Sequence, residues 1–255
     1  MNPAMTASYR AVTEQPGQPA SRIQLEMLEA RYSWAAEHAR GKDVLEAGCG
    51  AGMGLPALAN VACSVQAGDV DAGNLRTAAA TCAGHSNIRL RGFRAEALPF
   101  PDESFDLVLL FEAVYYLTGV GQFLAETRRV LRPGGTLLIV TVNPEWTGFN
   151  PSPFKTRYWA AKDLLEALQA GGFAARVQGA FPATSSLLRR AAVVLNLIPR
   201  TMRGKALLKR ICYGPLKAVP ALAGASNMLP VLEELDAAGS RQHRVLYATA
   251  QKGTA

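Results

Sequence analysis

An α/β fold, a largely parallel sheet with helices on both faces, is what this sequence predicts. Three observations carry that expectation. The first is Asp43–Leu58, DVLEAGCGAGMGLPAL, where a short apolar strand runs into glycines 48, 50, 52 and 54 and then into a helix from Leu55. A strand, a glycine turn and a helix make the first half of a βαβ unit. The second is Phe105–Phe111, apolar at every position but Asp106, as a strand buried on both faces must be. The third is the alternation of short strand patterns with helical ones from Asp43 to Phe181, which builds a parallel sheet rather than a sandwich.

The bulk properties agree. At 255 residues with 49% hydrophobic and 18% charged side chains, the chain can bury a substantial core and is globular rather than disordered. No apolar run approaches the roughly 18 residues of a membrane span. The first twenty residues lack the basic-then-apolar layout of a signal peptide, so a cytoplasmic protein is expected. Cys49, Cys63, Cys82 and Cys212 have no metal-ligand spacing, and His38, His85 and His243 lie far apart. Reduced thiols and no metal are expected. The net charge of +7 sits in one place: Arg189, Arg190, Arg200, Arg203, Lys205, Lys209, Arg210 and Lys217 fall between Ser185 and Pro220 without an acidic residue, leaving the rest near −1.

In order, residues 1–20 hold three prolines and few apolar anchors and should be loose. A helix follows from Ser21, a candidate cap, to about Ala39, with Arg31 and Tyr32 on it. Strand one is Asp43–Ala47 and strand two Ser64–Gly68, ending at Asp69, with Asp71 placed to cap the next helix. Strand three is Ile88–Phe93 and strand four Phe105–Phe111. A helix over Phe123–Leu131, a tight turn at Arg132–Gly135 and strand five over Thr136–Val142 come next. A stiff loop, Phe149–Phe154, leads past Tyr158 and Trp159 to a helix over Lys162–Ala170. Strand six is Phe173–Phe181, and the last strand is His243–Ala250.

The glycine turn binds something, because four glycines on alternate positions weaken a helix start unless room is needed. A dinucleotide fingerprint would require a third glycine at Met53 or Leu55. Instead Glu46 is followed by Gly48-Cys49-Gly50-Ala51-Gly52. That pattern resembles motif I of the class I S-adenosylmethionine (SAM) methyltransferases. The block Arg94–Asp106 (RAEALPFPDESFD) and the RVLRPGG block ending at Gly135 resemble the same family. The resemblance covers about Gly41 to Phe181.

The resemblance implies a Rossmann-like, seven-stranded, mostly parallel sheet with one antiparallel strand near an edge. It implies SAM as cofactor and S-adenosylhomocysteine as product. Glu46, Gly48, Cys49, Gly50 and Gly52 would form the donor turn. Asp69, or less favoured Asp71, would accept both ribose hydroxyls. The family usually has Asp where Arg94 stands, and arginine has no acceptor. Either Glu96 substitutes, or backbone around Ala95 and contact with Val70 hold the adenine. Phe111 and Glu112 end strand four beside the expected methyl donor. Tyr116, with Tyr115, is the candidate catalytic pair, positioning the acceptor or, with a lowered pKa, taking its proton. Phe154, Tyr158 and Trp159 are candidates for the acceptor pocket.

The chain then divides into an N-terminal extension and helix (1–40), a donor-binding core (41–181), a basic helical insertion (182–242) and a last strand with tail (243–255). The insertion, with helices near Ser186–Ile198 and Lys205–Ile211, is too long for a plain loop. Its basic face suits an anionic membrane surface or a phosphate-bearing acceptor, or is only solvated. Nucleic acid is disfavoured, because aromatics that would stack on bases are sparse there. The reading is methyl transfer to O, N or C of a small-molecule, lipidic or saccharide acceptor. A non-catalytic SAM-binding protein and, less favoured, a nucleotide-dependent oxidoreductase are the alternatives.

Overall fold

The computed structural model describes residues 9, 13–182, 213–215, 229–235 and 239–254. A short strand β1 (Pro19–Ser21) leads into helix α1 (Arg22–Ala39). Ser21 caps α1 through a capping box, its side chain accepting from the Gln24 backbone while the Gln24 side chain accepts from the Ser21 backbone. This reciprocal pair satisfies two N–H groups that a helix start leaves free.

Strand β2 (Asp43–Ala47) then opens the sheet, followed by α2 (Leu55–Ala59), β3 (Ser64–Asp69), α3 (Ala72–Thr81), β4 (Ile88–Gly92) and β5 (Phe105–Phe111). After a 3-10 turn at Val114–Tyr116 come α4 (Val120–Val130), β6 (Leu131–Val142), α5 (Ala161–Ala170) and β7 (Phe173–Pro182). The described remainder adds β8 (Tyr213–Pro215), β9 (Glu233–Glu234) and β10 (His243–Lys252).

The main sheet has the order β4-β3-β2-β5-β6-β10-β7-β9. The first five of these strands are mutually parallel, and β10 runs antiparallel between β6 and β7. The expected fold class is therefore right, but the expected count of seven strands is not. The eighth, β9, adds two residues to the open edge of β7. A second small sheet pairs β1 with β8. Both additions come from outside the segment that the sequence patterns covered. Strand β6 also begins at Leu131, not Thr136: the Arg132–Gly135 turn is absorbed as an irregularity where β5 and β6 change register.

The period of two along each central strand sorts its side chains to two cores. Leu107, Leu109 and Phe111 face the layer of α1 and α2, while Val108 and Leu110 face α4 and α5. β6 does the same, with Leu138 and Val140 on the first face and Leu137 and Ile139 on the second. That is why Phe105–Phe111 reads as an unbroken apolar run. Asp106, its exception, sits at the amino end, where Arg132 bridges Asp43 and Asp106. The RPGG block thus clamps the sheet end away from the site.

The expectation that the first twenty residues are loose fails for those the structure describes. Gln15 is buried and its side chain donates to Asn74 of α3, whose amide donates to Thr13. Glu14 pairs with Arg31 of α1. The segment therefore ties α3 to α1 through side-chain bonds that no local pattern announces.

The predicted helices near Ser186–Ile198 and Lys205–Ile211, and all eight basic residues of the insertion, lie outside the described residues. Among the described residues no helix is long and apolar enough to cross a membrane.

Candidate active site

The parallel strands β2, β3 and β5 end side by side, and a cavity of about 400 Å³ opens over their carboxyl ends. This is where open α/β sheets hold ligands, because the helix starts and turns diverge there. The turn after β2 has Gly48, Gly50 and Gly52 at φ of 77°, 54° and 72°, a conformation that L side chains rarely adopt. It brings Gly48, Cys49, Gly50, Ala51 and Met53 to the cavity wall. Gly54 is needed for a different reason: a Cβ there would lie 2.2 Å from the Tyr32 ring.

Asp69, at the end of β3, lines the cavity and is only 8% exposed. Its Oδ2 accepts from the Gly50 backbone at 2.9 Å and its Oδ1 from the Asp71 backbone at 2.8 Å. Burial pushes its carboxyl up, and those two backbone bonds pull it back. Asp71 caps α3 through the Gly73 and Asn74 backbones, as its place before that helix implies. Val70 beside them is 54% exposed, an apolar side chain left open on the cavity wall.

Glu46 and Gly52 do not line the cavity. Gly52 faces α3, where a Cβ would meet Ala78 at 3.0 Å, so it allows close helix packing. Glu46 lies buried beneath the turn, its Oε1 accepting from the Tyr32 hydroxyl at 2.6 Å and its Oε2 left without a partner. Burial pushes the Glu46 carboxyl up to about 7, against the Tyr32 bond and the Arg31 charge. Arg31 and Tyr32 themselves line the cavity.

Arg94, Ala95 and Glu96 form the wall opposite the turn. Arg94 does not fill the space; it folds onto Glu96 Oε1 at 3.3 Å and Thr118 Oγ1 at 3.4 Å. The same Glu96 oxygen also accepts from the Thr118 backbone and hydroxyl. These bonds outweigh burial and hold Glu96 ionised, below the usual carboxylate range. One of its oxygens is thereby spent within the protein.

At the end of β5, Phe111 and Glu112 reach the cavity, as do Tyr115 and Tyr116. The tyrosines differ from the expectation of a lowered pKa. Burial, then the Glu112 charge, pushes Tyr115 well up, and burial raises Tyr116. Neither is a base acting alone.

The three acceptor-pocket candidates separate. Phe154 is 38% exposed at the rim, its ring 6.0 Å from Tyr9, which lines the cavity. Tyr158 stands one layer behind, 5.0 Å from the Tyr115 ring, its hydroxyl accepting from the Ser152 backbone. Trp159 is not at the site. It stacks under Arg157 and lines a separate depression with Leu124 and Arg128, because the loop turns outward between Tyr158 and α5.

Sequence reasoning missed Tyr9, Thr13 and Glu14 on the wall. Their only signal was proximity in space to Asp71, Asn74 and Arg31, which a linear pattern does not carry.

The residues present suit a donor such as SAM. The Asp69 carboxylate stands at the end of β3 on the cavity wall, oriented by two backbone donors, and the open apolar side chain of Val70 lies beside it.

Comparison with known proteins agrees. Residues 45–139 match the family model described as a methyltransferase domain. A probable S-adenosylmethionine-dependent methyltransferase of Mycolicibacterium smegmatis is 38% identical over 151 residues, 57% of this chain and 57% of the relative. A ubiquinone biosynthesis O-methyltransferase of a Bradyrhizobium species is 36% identical over 110 residues, 43% of each. The chain thus spans about half the length of the curated relatives it matches. Among solved structures, a SAM-dependent methyltransferase from Aquifex aeolicus superposes with a TM-score of 0.54 at 24% identity, covering 61% of this chain and 86% of that one. A [4+2]-cyclase superposes with a TM-score of 0.59 at 21% identity, covering 94% and 88%. These likenesses concern fold alone, and the cyclase is a reminder that one fold hosts several chemistries. Residues 45–139 thus match a methyltransferase domain, and over 151 residues this chain is similar to a probable SAM-dependent methyltransferase.

Proposed function

We propose that the protein transfers a methyl group from SAM to O, N or C of a small, apolar or lipidic acceptor, leaving S-adenosylhomocysteine. The observation that carries the reading is the Asp69 carboxylate, held beside the Gly50 backbone at the end of β3 and facing a cavity with Val70 exposed next to it. Asp69 would take the ribose hydroxyls, since one carboxylate accepts several hydrogen bonds. Val70 and the Ala95 backbone would hold the adenine. Arg31 would face the donor's carboxylate, and Glu46 would act through Tyr32 beneath the glycine turn.

Bound SAM supplies the activation, its sulfonium making the methyl carbon electrophilic. The chain's own part is to align an acceptor and exclude water, and alignment alone can account for much of such a rate. Phe111, Tyr116 and the rim residue Phe154 offer an apolar, aromatic approach. Relatives named for ubiquinone, demethylmenaquinone and phthiotriol dimycocerosates support an acceptor of that character.

Calorimetry with SAM and S-adenosylhomocysteine tests the donor. Turnover of labelled SAM with a prenylated catechol, a naphthoquinol and a long-chain secondary alcohol tests the acceptor class. Micromolar donor binding with methylation of at least one of the three is expected. No binding of either nucleoside would sink the proposal.

The basic segment 185–220 would bring the protein to an anionic membrane surface. Sedimentation with phosphatidylglycerol vesicles, lost when Arg203, Lys205, Lys209 and Arg210 are neutralised, is the expected result. A wild type that never sediments would remove the membrane from the account.

A further inference from the structure

Methyl transfer to a hydroxyl or amine releases a proton, and the cavity wall holds a path for one. Glu112 ends β5 with its backbone at φ 50°, a left-handed conformation that costs a non-glycine residue energy and is kept where the surroundings enforce it. Its Oε2 accepts from the Tyr115 hydroxyl at 3.1 Å. The Tyr115 and Tyr116 rings pack edge to face, 4.5 Å apart. Tyr116 is half-buried, and its hydroxyl donates to Ser152 Oγ at 3.2 Å. A phenol hydroxyl can accept one proton while giving up another, because its hydrogen rotates freely.

We infer that Tyr115 and Glu112, which both line the cavity, form a relay that carries the acceptor's proton through the Tyr115 hydroxyl to the Glu112 carboxylate. The inference rests on the methyltransferase reading above. Tyr115 meets the acceptor and is the catalytic residue; Glu112 acts through it. As the acceptor oxygen bonds the methyl carbon, the carbon–sulfur bond breaks and its electron pair stays on sulfur. The acceptor's proton passes to the Tyr115 oxygen and the Tyr115 proton to Glu112. Glu112 ends as a neutral acid and ionises again by losing its proton to water.

The surroundings suit each step. Burial keeps the Tyr115 phenol neutral, as a relay member must be. Burial pushes Glu112 up to about 6, with Arg31 of α1 and the Tyr115 bond pulling it down and Glu14 of the N-terminal segment pushing it up. Tyr247 of β10 also feels the Glu112 charge. Glu112 is thus mostly ionised above pH 6 and receptive near neutrality, where a general base is most effective.

The test is the pH profile of kcat with the prenylated catechol, for wild type, Glu112→Gln and Tyr115→Phe, with SAM affinity measured in parallel. Wild-type kcat should fall about tenfold per pH unit below about 6. Both variants should lose on the order of 100-fold in kcat and lose that acid limb, with the SAM Kd unchanged within about threefold. Tyr115→Phe keeps the test open if Glu112→Gln does not fold. A variant that keeps the limb, or one whose loss lies wholly in SAM affinity, overturns the relay. Donor binding without methylation of any acceptor overturns the methyltransferase reading and the relay with it, and is told apart by the intact calorimetric signal.

Discussion

Asp69 and Glu46 are both acidic residues at strand ends, yet the structure gives them opposite duties. Asp69 faces the cavity with two backbone donors fixing its orientation. Asp69→Ala should weaken SAM binding by about 1–3 kcal/mol, the range for hydrogen bonds to a charged group; calorimetry reads it, and unchanged affinity would take Asp69 out of the site. Glu46 is buried and its pKa is raised to about 7. In the folded protein it therefore holds a proton that the unfolded chain, near the ordinary 4.5, has already released. Stability should accordingly fall as pH rises from about 4.5 to about 7, since the folded state binds more protons across that window. Glu112, raised to about 6, adds to the same slope. Chemical denaturation between pH 5 and 8 should show this loss in the ligand-free protein, and Glu46→Gln should flatten it. A wild-type stability that rises over that window would contradict the assignment. Asp69, which the structure puts on the cavity wall, was legible because strand ends and turn spacing are local. The sequence placed Glu46 in contact with the donor, which the structure does not support, because depth below the turn depends on Tyr32 packing from α1.

At the scale of elements, β5 is the axis of the molecule, paired with β2 and β6 and covered on both faces. Leu109, fully buried on it, should cost about 2–5 kcal/mol when cut to alanine, read as a lower denaturation midpoint. A loss below about 1 kcal/mol would mean that the strand is less enclosed than its neighbours make it. The strand was legible because burial on both faces leaves an unbroken apolar run. The N-terminal segment was not. Thr13, Glu14 and Gln15 read as polar loop residues, and only the positions of Asn74 and Arg31 turn them into a strap over the glycine turn. Trp159 failed in the opposite sense: its place in sequence suggested the pocket, and the outward course of the loop denied it.

For the molecule as a whole, a donor that binds the native cavity and not the unfolded chain must raise the melting temperature. At a concentration 100 times Kd the gain is about 2.7 kcal/mol, or roughly 5–10 °C for a chain of this size. A thermal scan with SAM should show that shift and one with NADH should not. A shift with NADH alone would return the oxidoreductase reading.

The sequence by itself determined the α/β class, the order of the strands in the chain, the glycine turn and the carboxylate at the end of β3. Each depends on residues close in the chain, where backbone geometry and the alternation of buried faces leave a direct trace. Only the tertiary structure decided which carboxylates touch the cavity, that the N-terminal segment closes over it, that β9 extends the main sheet while β1 pairs with β8 in a second one, and that Tyr115 and Glu112 connect. The last two are near neighbours in sequence, but their hydrogen bond depends on how burial and the left-handed turn at Glu112 aim the side chains, and that is set by the strands and helices packed around them.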